Sequence, residues 1–175
     1  IAGMDILVVR SDADTIKAYR NICLHRGRVL KEYPGRDEEL RCAFHGIAWN
    51  LDGTIKQVPC KWDFPQVGQE WSLPEVKVGL WGGFVFINPD KDAISFEEYA
   101  GPEMLAHYKK FKMENRYKQV HVGKIIRSNW KLIMEAFLEA YHVIATHPQL
   151  LLFGGDLADS RYDVFGNWHR LGHAG

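Results

Sequence analysis

Apolar and polar positions in the first ninety residues follow the two-residue period of β-strands. Short alternating stretches are separated by turn-forming residues, and Asp52-Gly53 is typical of a two-residue hairpin turn. Residues 59–72 contain two prolines and a glycine and predict an irregular connection. The pattern therefore predicts a small all-β domain, with strands at 5–10, 15–20, 39–44, 47–51, 54–58, 75–80 and 83–88.

The pattern changes after Pro89. Residues 102–108 predict a short helix that begins at Pro102, and residues 117–127 alternate as in a strand. A long helix is expected at 129–148, and a strand at 161–165 whose partners lie outside the chain. The domain boundary is expected between about 90 and 115. We place it after residue 95, which gives domains of 1–95 and 96–175.

The predicted helix at 129–148 has two different faces. An apolar stripe recurs at helical spacing, and two glutamates and a histidine share the opposite side with a threonine. His142 and His147 would lie about 140° apart in an ideal helix. They could share a metal only if the helix loosens or ends near Thr146–His147, and Pro148 disfavours the α conformation there. The stripe consists of Trp130, Ile133, Met134, Phe137, Tyr141 and Ile144, and the polar face of Glu135, Glu139, His142 and Thr146.

Composition excludes several classes of protein. The 22 basic and 22 acidic residues cancel, so the chain lacks the basic excess that nucleic-acid binding requires. Hydrophobic residues make up 46% of the chain, enough for a packed core. We find no membrane-spanning run, no signal peptide and no initiator Met, and we expect both ends to be cut or disordered in a longer protein. The 3 cysteines do not suggest a disulfide framework, which favours a reducing compartment such as the cytoplasm.

Two Cys/His pairs are the first candidate site. Cys23-x-His25 and Cys42-x-x-His45 are separated by sixteen residues, and each pair is followed by glycine on a loop between strands. If one iron takes both thiolates and the other both imidazoles, the pairs hold a Rieske [2Fe–2S] cluster. A Cys2His2 zinc site is the alternative, although zinc fingers pair like ligands and place histidines on a helix. Cys60 has no nearby partner and is interpreted as a structural or incidental thiol.

The two motifs together resemble the α-subunit of Rieske non-haem iron oxygenases, the aromatic ring-hydroxylating oxygenase family. Besides the Cys/His pairs, the resemblance rests on Asn129-Trp130-Lys131 leading to Glu139-x-x-His142-x4-His147, and it covers essentially the whole chain. It implies an α+β fold, in which a small all-β Rieske domain is followed by the start of an α/β helix-grip (START-like) catalytic domain. The catalytic domain would be truncated in this chain.

The resemblance implies two metal centres. A Rieske [2Fe–2S] cluster would be held by Cys23, His25, Cys42 and His45. A mononuclear Fe(II) that activates O2 needs two imidazoles and a carboxylate, and His142 and His147 are the candidate imidazoles. The family's carboxylate ligand lies beyond Gly175. Three nearer carboxylates are alternatives that no geometric reason favours: Asp156, Asp159 and Asp163.

Glu139 is the candidate catalytic carboxylate. The resemblance implies that it bridges a Rieske histidine of one subunit and the mononuclear site of its neighbour, since a carboxylate can accept hydrogen bonds from two imidazoles. Most members have Asp at this place and a subset has Glu. A solvated helical glutamate is the alternative interpretation. Ala136 stands where many ring dioxygenases have Asn, which leaves a monooxygenase or demethylase outcome equally open.

The implied function is that of a terminal oxygenase component. Electrons from NAD(P)H would arrive through a separate reductase, with or without a ferredoxin, because the chain has no Gly-x-Gly-x-x-Gly fingerprint. Reduced iron would use O2 to oxidise a small apolar, aromatic substrate. The family forms trimers, sometimes with an added β-subunit, so a homotrimer is expected. A Rieske electron carrier without its own chemistry is the alternative from another class.

Overall fold

The computed structural model describes residues 3–152 and 161–172. The chain divides into two compact units, Ile1–Phe96 and Glu97–Gly175. All seven strands predicted in the first unit are confirmed, with ends that differ by up to three residues. They are β1 (Ile6–Arg10), β2 (Ile16–Arg20), β3 (Leu40–Arg41), β4 (Ala48–Trp49), β5 (Ile55–Gln57), β6 (Glu75–Trp81) and β7 (Phe84–Asn88). The irregular connection before β6 contains two 3₁₀ turns, Lys61–Asp63 and Gln69–Trp71.

The strands of the first unit form two antiparallel sheets. One has the order β1-β2-β6-β7 and the other the order β3-β4-β5. Tyr19 on β2 connects them, because its hydroxyl donates to the Leu51 carbonyl 3.2 Å away beyond β4. The β4–β5 turn is one residue longer than predicted: Asn50 N–H donates to Thr54 O at 2.9 Å, which leaves three residues in the turn.

The core of the first unit includes the two paired cysteines. The fully buried Trp49 lies in this core, and its indole N–H donates to the Trp71 carbonyl at 2.7 Å. Cys23 and Cys42 are 3% and 1% exposed. The loops that carry them are therefore anchored in the best-packed part of the molecule. The core cluster consists of Val9, Tyr19, Cys23, Leu30, Leu40, Cys42, Ile47, Trp49 and Leu73.

A bent helix, α1 (Phe96–Lys109), begins at the end of the first unit. Gly101 has φ 74° and ψ 158°, which interrupts the helical backbone. Pro102 therefore begins a new helical segment, as predicted, because the first turn of a helix does not need its missing N–H. The segment before Gly101 was not predicted.

The single helix predicted at 129–148 is wrong. The structure has two short helices, α2 (Trp130–Ala136) and α3 (Val143–Thr146). The Glu139 carboxylate accepts the backbone N–H groups of Tyr141 and His142, which a continuous helix would direct to carbonyls four residues earlier. The predicted end of the helix near Thr146–His147 is confirmed, since α3 stops at Thr146 and His147 has φ −129° and ψ 51°.

The strand predicted at residues 117–127 is also wrong, and the apolar stripe at 130–144 lies at the surface. None of the six stripe residues is buried, and Phe137 and Tyr141 are 80% and 90% exposed. The described residues provide no apolar surface that covers this stripe. Residues 117–127 form no strand, because a strand needs a hydrogen-bonded neighbour and none is paired with this segment in the described chain.

A hairpin of β8 (Arg161–Phe165) and β9 (Trp168–Gly172) closes the described part of the second unit. The prediction that β8 lacks a partner within the chain is therefore wrong. Arg170 donates to the Asp163 carboxylate and lies 3.2 Å from His107 Nδ1 on α1. Asp163 is thus engaged by a guanidinium, while Asp156 and Asp159 lie outside the described residues. No helix among those residues is long and apolar enough to cross a membrane.

Candidate metal centres

The two Cys/His loops have the same backbone hydrogen bonds. In each, the cysteine N–H donates to the carbonyl five residues later, and the glycine four residues later donates to the cysteine carbonyl. Both glycines have positive φ, 72° at Gly27 and 76° at Gly46, which other residues rarely adopt. The bonds are Cys23 N to Arg28 O (2.7 Å) and Gly27 N to Cys23 O (2.9 Å) in the first loop, and Cys42 N to Ile47 O (2.8 Å) and Gly46 N to Cys42 O (3.0 Å) in the second.

This pairing of loops brings two thiols and two imidazoles together. Cys23 and Cys42 are buried free cysteines, whereas the histidine residues are exposed. The Nδ1 atoms of His25 and His45 face each other at 3.2 Å. Two nitrogens bound at about 2.0–2.1 Å to one tetrahedral metal would lie about 3.3 Å apart, so this spacing fits a shared iron. The donor set therefore fits the predicted cluster.

Burial raises the pKa of the Cys23 thiol, and the adjacent Cys42 raises it further. Backbone N–H groups of His25 and Arg26 act in the opposite direction, because they stabilise a thiolate. The Cys23 thiol thus retains its proton more readily than free cysteine. Metal binding must displace this proton, which couples loading of the site to proton release.

Two residues that the sequence did not single out support the second loop. The Phe44 ring stacks on His45 with centroids 4.0 Å apart and planes at 28°. Arg41 donates to the Gly46 carbonyl at 2.8 Å and is itself held by Glu39 at 2.6 Å. The sequence offered a signal for Phe44, because this residue lies between the candidate ligands Cys42 and His45. It offered none for Arg41, whose contacts depend on tertiary structure.

Asn21 supports the first loop from inside the protein. It is 6% exposed, and its Oδ1 accepts the N–H groups of Leu30 (3.1 Å) and Lys31 (3.0 Å). Its Nδ2 donates to the Lys31 carbonyl at 2.7 Å and to Asp5 at 3.3 Å. These bonds connect the residues that precede Cys23 to those that follow the loop.

Replacing Asn21 with alanine is expected to lower the free energy of unfolding by about 2–4 kcal/mol, because buried backbone groups lose their partner. Asn50→Ala is the matched control: its amide donates to the Thr54 hydroxyl at 2.9 Å in a turn, and its loss should cost about 1 kcal/mol. Denaturant unfolding of both variants measures the difference. Equal losses would show that Asn21 does not brace the loop.

His142 and His147 lie at the two ends of α3. His142 precedes its first residue, and His147 follows its last. Their ring centroids are 5.4 Å apart, and the planes meet at 78°. The non-helical backbone of His147 allows this approach, which a straight helix would prevent. The structure thus brings the two predicted iron ligands together.

Glu139 contacts His142 directly. Its carboxylate bonds to His142 Nδ1 and also accepts the His142 backbone N–H at 3.2 Å. The imidazole contact is the main cause that lowers the pKa of Glu139, so the side chain stays ionised at neutral pH. A carboxylate on Nδ1 leaves Nε2 available for a metal, the usual arrangement of metal-binding histidines.

No group of three His, Cys, Asp or Glu side chains is arranged to hold one metal ion within residues 3–152 and 161–172. His142 and His147 therefore supply two donors without a third ligand from the described chain. The predicted third ligand, a carboxylate beyond Gly175, stays a prediction.

Two family models match consecutive parts of the chain. The Rieske [2Fe-2S] domain matches residues 1–68, and the ring hydroxylating alpha subunit (catalytic domain) matches residues 102–174. The chain therefore carries a Rieske domain followed by a ring-hydroxylating alpha catalytic domain, and its relatives are Rieske oxygenase α-subunits. The two domain types imply a Rieske [2Fe–2S] cluster and a mononuclear iron, as the sequence predicted.

Curated Rieske oxygenase relatives act on different substrates. The chain is 31% identical to the chlorobenzene dioxygenase subunit alpha of Cupriavidus sp. (strain PS12), over 94% of this chain and 39% of the relative. It is 30% identical to the carnitine monooxygenase oxygenase subunit of Escherichia coli (strain K12), over 96% of this chain and 46% of the relative. The chain thus spans less than half the length of these relatives.

The fold also matches solved Rieske oxygenases. The quaternary ammonium Rieske monooxygenase CntA, solved in complex with L-carnitine, superposes with a TM-score of 0.84 at 24% identity. The match covers 95% of this chain and 48% of that one. The predicted α+β class is confirmed at the level of the fold.

Proposed function

We propose that this chain provides both metal centres of a terminal oxygenase component. Cys23, His25, Cys42 and His45 hold the Rieske cluster, and His142 and His147 hold the mononuclear iron. The single observation that carries the proposal is the 3.2 Å approach of the His25 and His45 Nδ1 atoms above two buried thiols. The Glu139–His142 contact independently supports the second centre.

The metal groups, when bound, supply electron transfer and O2 activation. The protein's own role is to hold these metal groups and to orient the histidine side chains that bind them. Since the Nδ1 atoms of His25 and His45 face inward, the Nε2 edges of these exposed rings face outward, where a hydrogen-bonding partner can reach them. Glu139 fixes the tautomer of His142 through Nδ1, and its side chain is 44% exposed. A second imidazole, from the Rieske domain of a neighbouring copy, can therefore reach this carboxylate.

Partners follow from the same proposal. A bridge between subunits requires an oligomer, and we propose a homotrimer, with or without a β-subunit. A separate reductase, alone or with a ferredoxin, delivers electrons from NAD(P)H. We propose the cytoplasm as the compartment, because an odd number of three cysteines does not suggest a disulfide framework.

Metal analysis of the protein tests the proposed centres. Two irons from the cluster and one from the mononuclear site give three irons per chain, with a rhombic EPR signal after reduction. Two irons per chain would instead support an electron carrier. A colourless protein that contains zinc and shows no EPR signal would overturn the proposal.

The proposed substrate is small, apolar and aromatic, as for the chlorobenzene relative. A quaternary ammonium compound is a second candidate, favoured by the likeness to the carnitine monooxygenase subunit. Product analysis with a competent reductase separates them. Hydroxylated arenes support the first candidate, while trimethylamine or an aldehyde released from a trimethylammonium substrate supports the second.

A further inference from the structure

A loop outside the two Cys/His motifs faces the cluster histidines. A cavity of about 250 Å³ is lined on one side by His25 and His45 and on the other by residues of the connection after β5, including Cys60, Phe64 and Val67. The sequence predicted only an irregular connection here. In the structure, this connection lines the cavity beside the candidate cluster histidines.

The ammonium group of Lys61 holds this loop together. Its Nζ donates to the backbone carbonyls of Phe64 at 2.9 Å and Pro65 at 3.3 Å, and also to the carbonyl of Val67. An ammonium has three donors and no acceptor, so these three carbonyls use its full capacity. One side chain thus binds the carbonyls of three of the six residues that follow it.

Three backbone hydrogen bonds also lie within the loop: Asp63 N–H to Cys60 O (2.8 Å), Phe64 N–H to Lys61 O (3.0 Å) and Val67 N–H to Phe64 O (3.1 Å). Val67 is 4% exposed and fixes the far end in the core. Cys60 has φ 53° at the near end, an unfavourable conformation for a non-glycine residue. Between these two residues, the side chains of Trp62 and Phe64 are 79% and 43% exposed. The packing of the Trp62 side chain therefore contributes little to holding the loop in the position seen in the structure.

We propose that Lys61 is a positioning residue that holds loop 60–67 against the cluster histidines and limits the access of water to the cluster. This inference rests on the proposed binding of a [2Fe–2S] cluster by the first centre. Without the ammonium, the carbonyls of Pro65 and Val67 lose this donor, the Phe64 carbonyl keeps only the Val67 N–H, and the loop opens more often. The cluster ligands themselves do not change.

Lys61→Met keeps most of the aliphatic stem and removes the donors. We expect the purified protein to bind its cluster with an unchanged EPR spectrum, but excess EDTA should bleach the cluster about fivefold faster than in wild type. Chymotrypsin should also cleave faster after Trp62, a measurement that does not depend on the cluster. Lys61→Arg, which retains several charged donors, should restore most of the protection.

Lys91→Met is the matched control, since Lys91 is an exposed lysine paired with Asp92 at 2.8 Å and does not touch the loop. Bleaching and cleavage rates of K61M equal to those of K91M would overturn the role of Lys61. If K61M does not accumulate, Lys61→Gln replaces it, with the same expected and contradicting results. Absence of any cluster in the wild-type protein would instead reject the proposed function, so the two failures are distinguishable.

Discussion

Glu139→Ala is expected to leave both metal centres occupied while turnover falls by at least about 100-fold. The carboxylate bonds to Nδ1 of His142 and is exposed enough to accept a second imidazole. Its lowered pKa keeps it an acceptor at neutral pH. Removing it should therefore interrupt the connection between centres without removing a metal ligand. Iron content, the reduced EPR spectrum and product formation are measured on one preparation.

Glu135→Ala is the control for this prediction, because Glu135 is an exposed carboxylate on α2, four residues before Glu139 in the sequence. Its turnover should stay within about twofold of wild type, as for most surface substitutions. Wild-type turnover in E139A would remove Glu139 from the bridging role. Loss of mononuclear iron in E139A would instead assign it to holding the His142 ring.

The second large effect is expected for His142→Ala. One of two imidazole donors is lost, so the mononuclear iron should dissociate and product formation should fall below detection. The Rieske centre has its own ligands in the other compact unit and should keep its spectrum. Iron per chain is expected to decrease from three to two.

His121→Ala provides the comparison, since His121 is an exposed histidine in the extended segment before α2. It should retain three irons and wild-type turnover. Retention of the mononuclear iron in H142A would show that a different residue holds it. Loss of the Rieske signal in H142A would show that the substitution perturbs the whole protein rather than one site.

The alternation of apolar residues determined most of the first unit. Each strand there is paired within the chain, so the period of the pattern and the local turn residues were sufficient to predict it. The candidate ligands of the first centre could also be predicted from the sequence, because cysteines and histidines at fixed spacing beside a glycine form a local motif. The hydrogen bonds by which Asn21, Arg41 and Lys61 support the loops could not be predicted, because they depend on backbone groups that only the fold brings near.

In the second unit, by contrast, the sequence pattern predicted the secondary structure poorly. Helical periodicity predicted one helix. The pattern contains no information on side chains that compete for backbone N–H groups, and Glu139 accepts two such groups where the helix is interrupted. Pro148 gave a local reason for the break beside His147, and that prediction was correct. The sequence by itself determined which residues could bind metal and where the helix must end. Only the tertiary structure decided that the His142 and His147 rings lie 5.4 Å apart at the two ends of α3, because their separation depends on backbone angles outside the regular helix.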